Sequence, residues 1–130
     1  MKVLVTGGAG FIGSHIVNRL IARNYGVVVA DDLSTGLEEN LNPAARFCRL
    51  DIARDDLLPL FSAEKFDFVI HQAAQTMVPK SLEAPDSASA VNVLGTPDVL
   101  EACRKTGVRR ITCASSAGVS APTAIGIRRR

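Results

Sequence analysis

The chain has 130 residues, 47% of them apolar and 22% charged, a size and composition typical of one globular domain. No apolar run approaches the ~18 residues that span a bilayer, and glycine-rich sequence from Gly7 onward interrupts the start before the apolar region of a signal peptide could form. The formal charge of +2 is carried by Arg128, Arg129 and Arg130; the rest has 12 basic residues against 13 acidic ones, so no general affinity for nucleic acid or membrane follows.

Lys2 to Thr6 is a Val-rich, strand-like run. Ile12, Ile16, Val17, Leu20 and Ile21 then recur at helical spacing and predict a helix over about Phe11–Arg23, ended by Asn24 and Gly26 as left-handed caps. Gly26 to Ala30 is β-branched and apolar on both faces, as a strand inside a parallel sheet would be. Phe47 to Leu50 is a weaker strand. Asp55 to Phe61 reads as a short helix that Pro59 must kink or shorten, and Phe66 to Ile70 is another strand. A second helical face runs from Asp86 to Lys105 through Val91, Gly95, Val99, Ala102 and Cys103. Pro97 lies inside it, and Gly107 is its stop. Arg110 to Cys113 is the last strand. This alternation predicts an α/β fold, a doubly wound parallel sheet of about five strands with helices on both faces.

The sharpest motif is Thr6-Gly7-Gly8-Ala9-Gly10-Phe11-Ile12-Gly13, with glycines spaced G-x-x-G-x-x-G between a strand and a helix. In that context Gly7 takes a tight turn, Gly10 lets a pyrophosphate approach bare backbone, and Gly13 permits close packing of helix and strand. The helix N-terminus presents free N–H groups to the phosphates. Asp31 ends the second strand 18 residues after Gly13, close to where a carboxylate meets the ribose 2′-hydroxyl of an adenine dinucleotide. A carboxylate there repels a 2′-phosphate, which favours NAD over NADP. Asp32 is its neighbour, and strand alternation lets only one of the two face the cofactor. Cys48, Cys103 and Cys113 are odd in number, form no C-x-x-C pair and lie in apolar stretches. They read as reduced, buried thiols of a cytoplasmic protein, with neither disulfide nor metal site expected.

These blocks resemble the extended short-chain dehydrogenases, and among them the NAD-dependent sugar-nucleotide epimerases and dehydratases of the UDP-glucose 4-epimerase type. The similarity runs from Lys2 to about Ala117. Asp31-Asp32-Leu33-Ser34-Thr35-Gly36 is similar to the family's Asp-Asn-Leu-Ser-Thr-Gly turn, and Asp51-Ile52 to its acid–aliphatic pair against the adenine base. His71-Gln72-Ala73-Ala74-Gln75 resembles the segment that closes the fourth strand beneath the cofactor. Val91-Asn92-Val93-Leu94-Gly95-Thr96 resembles the central helix, and Ala114-Ser115-Ser116-Ala117 the block that carries an active-site Ser or Thr. The resemblance implies a Rossmann-type domain over 1–117 with a divergent basic tail over 118–130. It also implies a cofactor site drawn from Gly7, Gly10, Phe11, Ile12, Gly13, Asp31, Asp51, Ile52, Ala73 and Ala74. Ser116 is the candidate catalytic residue by alignment; without a base beside it, it is a polar strand-end residue. His71 and Asn92 read as structural.

The family's chemistry passes a sugar hydride to NAD while the Tyr of a Tyr-x-x-x-Lys motif takes the hydroxyl proton. This sequence has one tyrosine, Tyr25, with Val29 four residues later, so the motif is absent. The resemblance therefore implies the NAD-binding part of a nucleotide-sugar enzyme, truncated relative to the family and inactive alone, with the missing parts encoded beyond Arg130. A stand-alone dinucleotide-binding or sensing module, or the cofactor half of a two-chain enzyme, is the alternative. Self-association through the last strand is expected. A protein using its arginine tail on nucleic acid or membrane ranks last, because three arginines fall short of the usual basic run.

Overall fold

A computed structural model describes residues 1–74 and 95–114. Its elements are β1 (Lys2–Thr6), α1 (Phe11–Ile21), β2 (Gly26–Asp31), a 3₁₀ turn (Glu38–Asn40), β3 (Arg46–Arg49), α2 (Leu58–Glu64), β4 (Phe68–His71), α3 (Thr96–Thr106) and β5 (Arg110–Cys113). The five strands form one parallel sheet in the order β3-β2-β1-β4-β5. Chain order thus reverses at β1, with β2 and β3 on one side and β4 and β5 on the other. In open α/β sheets the loops leave such a reversal in opposite directions and open a crevice at the strands' carboxyl ends.

Strands β1 and β2 are apolar over Val3–Val5 and Val27–Ala30 because both of their faces are covered. Leu4, Val28, Ala30 and Val69 point to one side, where they pack with Leu57 just before α2, Phe61 of α2 and Val99, Ala102 and Cys103 of α3. Val3, Val5, Val27 and Val29 point to the other and meet Val17 of α1. The two-residue repeat of a strand sorts these side chains into two cores. Phe61 and Phe66 meet edge-to-face, ring centroids 5.3 Å apart, in the first of them.

Several expectations from sequence are corrected. Pro97 is the second described residue of α3, behind a Gly95 with helical dihedrals, whereas Pro59 stands in the first turn of α2, where a missing N–H costs nothing and the fixed φ suits the start. Consequently α2 begins three residues later than expected instead of kinking. The part of the second expected helix before Gly95 lies outside the described residues. Asn24 does take the left-handed conformation, φ +60°, but Gly26 opens β2 instead of capping α1. Ile12 was expected on the buried stripe and is 62% exposed. Of the three thiols only Cys103 is buried; Cys48 is half-buried and Cys113 exposed, since β5 is an edge of the sheet among the described residues. None of the described helices is long and apolar enough to cross a membrane.

An ionic clamp closes the end of the sheet opposite the crevice. Glu64, at the end of α2 and 8% exposed, receives the Lys2 ammonium of β1 at 2.8 Å and the Arg46 guanidinium of β3. The Lys2 hydrogen bond, working against burial and helped by the Arg46 charge, holds the Glu64 carboxyl below its ordinary 4.5. A carboxylate whose pKa is lowered by folding stabilises the fold above the unfolded value, and that contribution fades as pH falls through the folded value. Glu64→Gln is therefore expected to cost about 1–3 kcal/mol at pH 7, the range for hydrogen bonds to charged groups. Urea titrations at stepped pH should show the two proteins converging below about pH 4.5. A deficit that stays constant down to pH 3 would assign the loss to packing instead.

Candidate functional site

A cleft of ≈540 Å³ lies where the crevice is expected, over the carboxyl ends of β1, β2 and β4. All ten residues expected at the cofactor site line it: Gly7, Gly10, Phe11, Ile12 and Gly13 from the first loop, Asp31 at the end of β2, Asp51 and Ile52 after β3, and Ala73 and Ala74 after β4. Ala30, Asp32, Ser34, Thr35, Gly36, Leu50, Gln72 and Ala114 complete it among the described residues. No lysine, arginine or histidine is among these, while three aspartates are.

The glycines serve different purposes. Gly7 has φ +69°, which a side chain disfavours, and a Cβ there would stand 2.6 Å from the Ala73 nitrogen. Its N–H donates to the Ala30 carbonyl at 2.8 Å, so the turn is pinned between β2 and the end of β4. Gly13 is helical, but a Cβ would lie 2.1 Å from the Gly7 carbonyl oxygen. It thus packs against the loop itself, not against a strand as its spacing implied. Gly10 differs from both. Its φ of −75° suits any residue, and the closest atom to an added Cβ is the Gly7 oxygen at 3.3 Å. The fold's demand for glycine is weaker here than at Gly7 or Gly13, a Cβ needing a shift of only a few tenths of an ångström, whereas a ligand lying on the backbone would need the space. Just beyond it, the first-turn N–H groups of Phe11, Ile12 and Gly13 have no intrahelical acceptor, and no side chain caps them. Together they offer neutral donors and the positive end of the α1 dipole to an anionic group.

Asp31 is buried, and its orientation is set by backbone donors. Oδ2 accepts the Ala9 N–H at 3.0 Å and Oδ1 the Leu33 N–H at 2.9 Å. A carboxylate offers about four lone-pair sites, so capacity remains for hydroxyl donors in the cleft. Asp32 also lines the cleft, because β2 has already ended and strand alternation no longer applies. Its Oδ1 accepts from the N–H (2.9 Å) and the hydroxyl (2.7 Å) of Ser34.

His71 is structural, as read from sequence. It is 5% exposed, with Nδ1 2.7 Å from Thr6 Oγ1 and Nε2 3.0 Å from Thr96 Oγ1. Thr6 Oγ1 also accepts the Ala73 N–H at 3.3 Å. With Thr6 donating to Nδ1 and Nε2–H donating to Thr96, one neutral tautomer closes the relay from β1 through β4 to α3. Burial holds this imidazole below its ordinary 6.5, consistent with a neutral ring.

Ile52 forms cleft wall and core at once. It is 5% exposed, and a Cβ on Gly95 would fall 2.8 Å from its Cγ1. Asp51 Oδ1 accepts the Ala53 N–H at 2.9 Å. Ser116, the candidate catalytic residue, and Asn92 lie outside the described residues. Sequence reasoning assigned no role to Gly8 or Gly36. A Cβ at Gly8 would stand 2.6 Å from Val29, and one at Gly36 would stand 2.8 Å from the Ala9 Cβ. For Gly8, its position inside the glycine-rich loop was the available signal. Among the described residues no cluster of His, Cys, Asp and Glu could hold a metal ion.

Two glycine variants separate fold from ligand. Gly13→Ala is expected to destabilise the chain by about 1–3 kcal/mol, the cost of overpacking, despite alanine's better helix propensity. Gly10→Ala should stay within about 0.5 kcal/mol of the wild type, as substitutions away from strained sites do. Urea unfolding checks both, and a Gly13→Ala chain as stable as the wild type would contradict the geometry.

The sequence matches the NAD dependent epimerase/dehydratase family over residues 3–128. It is 45% identical over 123 residues to a UDP-glucose 4-epimerase of Mycolicibacterium smegmatis, covering 91% of this chain and 39% of that protein. Among solved structures, the UDP-glucose 4-epimerase of Thermus thermophilus in complex with NAD is 44% identical, with a TM-score of 0.88 over all of this chain and 42% of that one. That of Thermotoga maritima with UDP-glucose is 42% identical, TM-score 0.88, over 91% of this chain and 38% of the other. The chain thus spans about two fifths of the length of these relatives. A parallel five-stranded sheet, a glycine loop opening its first helix, an acid ending its second strand and a family match over nearly every residue lead to one conclusion: the chain belongs to the NAD-dependent epimerase/dehydratase family.

Proposed function

We propose that this chain is the NAD-binding part of a nucleotide-sugar epimerase or dehydratase of the UDP-glucose 4-epimerase type, without turnover of its own. Residues 1–117 form its cofactor domain and 118–130 its divergent tail. The observation that carries the reading is Gly10, which the fold requires less than Gly7 or Gly13, placed beside the uncapped N–H groups of α1. The pyrophosphate of NAD lies across the Phe11, Ile12 and Gly13 N–H groups. Asp31 receives the adenosine ribose hydroxyls, while Asp51 and Ile52 border the adenine. Ala73 and Ala74 line the path toward the nicotinamide. Bound NAD supplies a hydride acceptor. The chain's own contribution is to hold and orient it. The three free thiols support a reducing, cytoplasmic location.

Three carboxylates and no cation line the described cleft, so a ligand with an added phosphate is repelled. Calorimetry is expected to show NAD bound at least tenfold more tightly than NADP. ADP-ribose should bind within a fewfold of NAD, because the described contacts are on the adenosine diphosphate side. Asp31→Asn should weaken NAD by roughly tenfold, the worth of one hydrogen bond to a charged acceptor, and narrow the gap to NADP. Strong dependence on the nicotinamide ring would overturn this assignment of contacts.

The sequence given contains no Tyr-x-x-x-Lys pair. Loss of a general base costs about 10²–10⁴-fold, and loss of substrate positioning comes on top of it. The purified chain is therefore expected to form no product from UDP-glucose. Product that persists through purification and disappears in a Ser116→Ala variant would show that the chain supplies its own catalytic group. A second reading, the cofactor half of a two-chain enzyme, is favoured by β5. This strand is a sheet edge among the described residues with Arg110, Thr112 and Cys113 exposed, and such an edge can pair with another chain. Turnover that appears only when a chain bearing the missing pair is added would select it. The same edge would also serve self-association.

A further inference from the structure

We propose that Asn40 is a positioning residue for the cofactor site, acting through the backbone of Ala9; this rests on the dinucleotide reading above. Asn40 ends the 3₁₀ turn Glu38–Asn40, 31 residues from Ala9 in sequence. Its side-chain Nδ2 nonetheless donates to the Ala9 carbonyl at 2.9 Å. The Leu37 N–H donates to the same oxygen at 3.1 Å. On the other side of Ala9, its N–H donates to Asp31 Oδ2 at 3.0 Å. A residue 0% exposed in the middle of the glycine loop is thus held at both of its peptide groups by the two ends of one segment, Asp31 and Asn40. Gly36 lets that segment lie flat, since a Cβ there would stand 2.8 Å from the Ala9 Cβ and 3.0 Å from Asp31 Oδ1.

The consequence for the ligand follows from which peptides are fixed. The Ala9 carbonyl shares its plane with the Gly10 N–H, which donates to the Gly7 oxygen at 3.2 Å. Holding the carbonyl fixes the tilt of the peptide that enters Gly10, the N-cap of α1, and so constrains the start from which the Phe11 and Ile12 N–H groups project. Holding the Ala9 N–H fixes Asp31, the ribose acceptor. The phosphate donors and the ribose acceptor therefore share one anchor. Asn40 sets their separation, touching no ligand itself and lying outside the residues that line the cleft.

Asn40→Ala removes the side-chain donor. Asn40→Asp keeps the shape, removes the donor and places a carboxylate against a carbonyl. Calorimetry with NAD at a temperature where every protein is fully folded is expected to show affinity reduced about threefold to tenfold in Asn40→Ala, the worth of one hydrogen bond, and at least as much in Asn40→Asp. Amide hydrogen exchange at Gly10 should quicken in both. A merely structural role would lower the melting temperature and leave the affinity of the folded protein unchanged, and that result overturns the proposal. If the wild-type chain itself fails to bind NAD, the cofactor reading falls. Gly10 exchange then judges the latch alone: faster exchange in Asn40→Ala upholds it, and unchanged exchange overturns it.

Discussion

The Gly7 carbonyl occupies the space where a side chain of residue 13 would begin, and the Gly7 Cα sits where β4 ends. These two close approaches bring the first loop down onto its own helix and across onto the neighbouring strand. Neither tolerates a methyl group. Because both hold, α1 starts directly above the end of β1 and its first-turn N–H groups face the reversal point of the sheet. The cleft is what remains between that helix end and the loops after β2 and β4. Every candidate contact described above depends on this packing of backbone against backbone.

Around that contact, polar groups are arranged to leave little to chance. The relay of Thr6, His71 and Thr96 ties β1, β4 and α3 together just beneath the cleft, and among the described residues no buried side-chain donor or acceptor lacks a partner. Buried polar groups satisfied in this way specify one arrangement of the strand ends, since any slip would leave a desolvated group unpaired. The apolar cores on either side supply most of the stabilisation and little of this specificity. Glu64 works at the opposite end of the sheet, so ion pairs fasten the fold there, while hydrogen bonds without a basic side chain fasten it around the cleft.

Much of this was legible in the chain because it is local. The glycine spacing, the Val-rich runs and an acid 18 residues on are short-range patterns, and they led to the strands, the first helix, the glycine loop and Asp31; Asp51, Ile52, Ala73 and Ala74 came from the family resemblance. The helix start at Pro59 was misread because proline was weighed as a breaker when it was an opener, a distinction that depends on where the preceding turn ends. Cys113 was expected to be buried because its neighbours are apolar; its exposure follows from its place at an edge, which is a property of strand order. The hold of Asn40 on Ala9 links residues 31 apart and left no local trace. Neither did the fit of Gly36 over Ala9.

The absence of any cation among the described lining residues has a consequence for how the site responds to its medium. A phosphate gripped by lysine or arginine is attracted through charge, and added salt screens that attraction. Here the donors facing a diphosphate are peptide dipoles at contact distance, which ions in solution barely screen. The formal charges on the lining are Asp31, Asp32 and Asp51, the last paired at 3.6 Å with Arg54 outside the lining, and their sum repels it. Raising the ionic strength then weakens the repulsion more than the grip. Binding of a dianion in this cleft should hold steady or tighten in salt, the reverse of the dependence that a basic phosphate site displays.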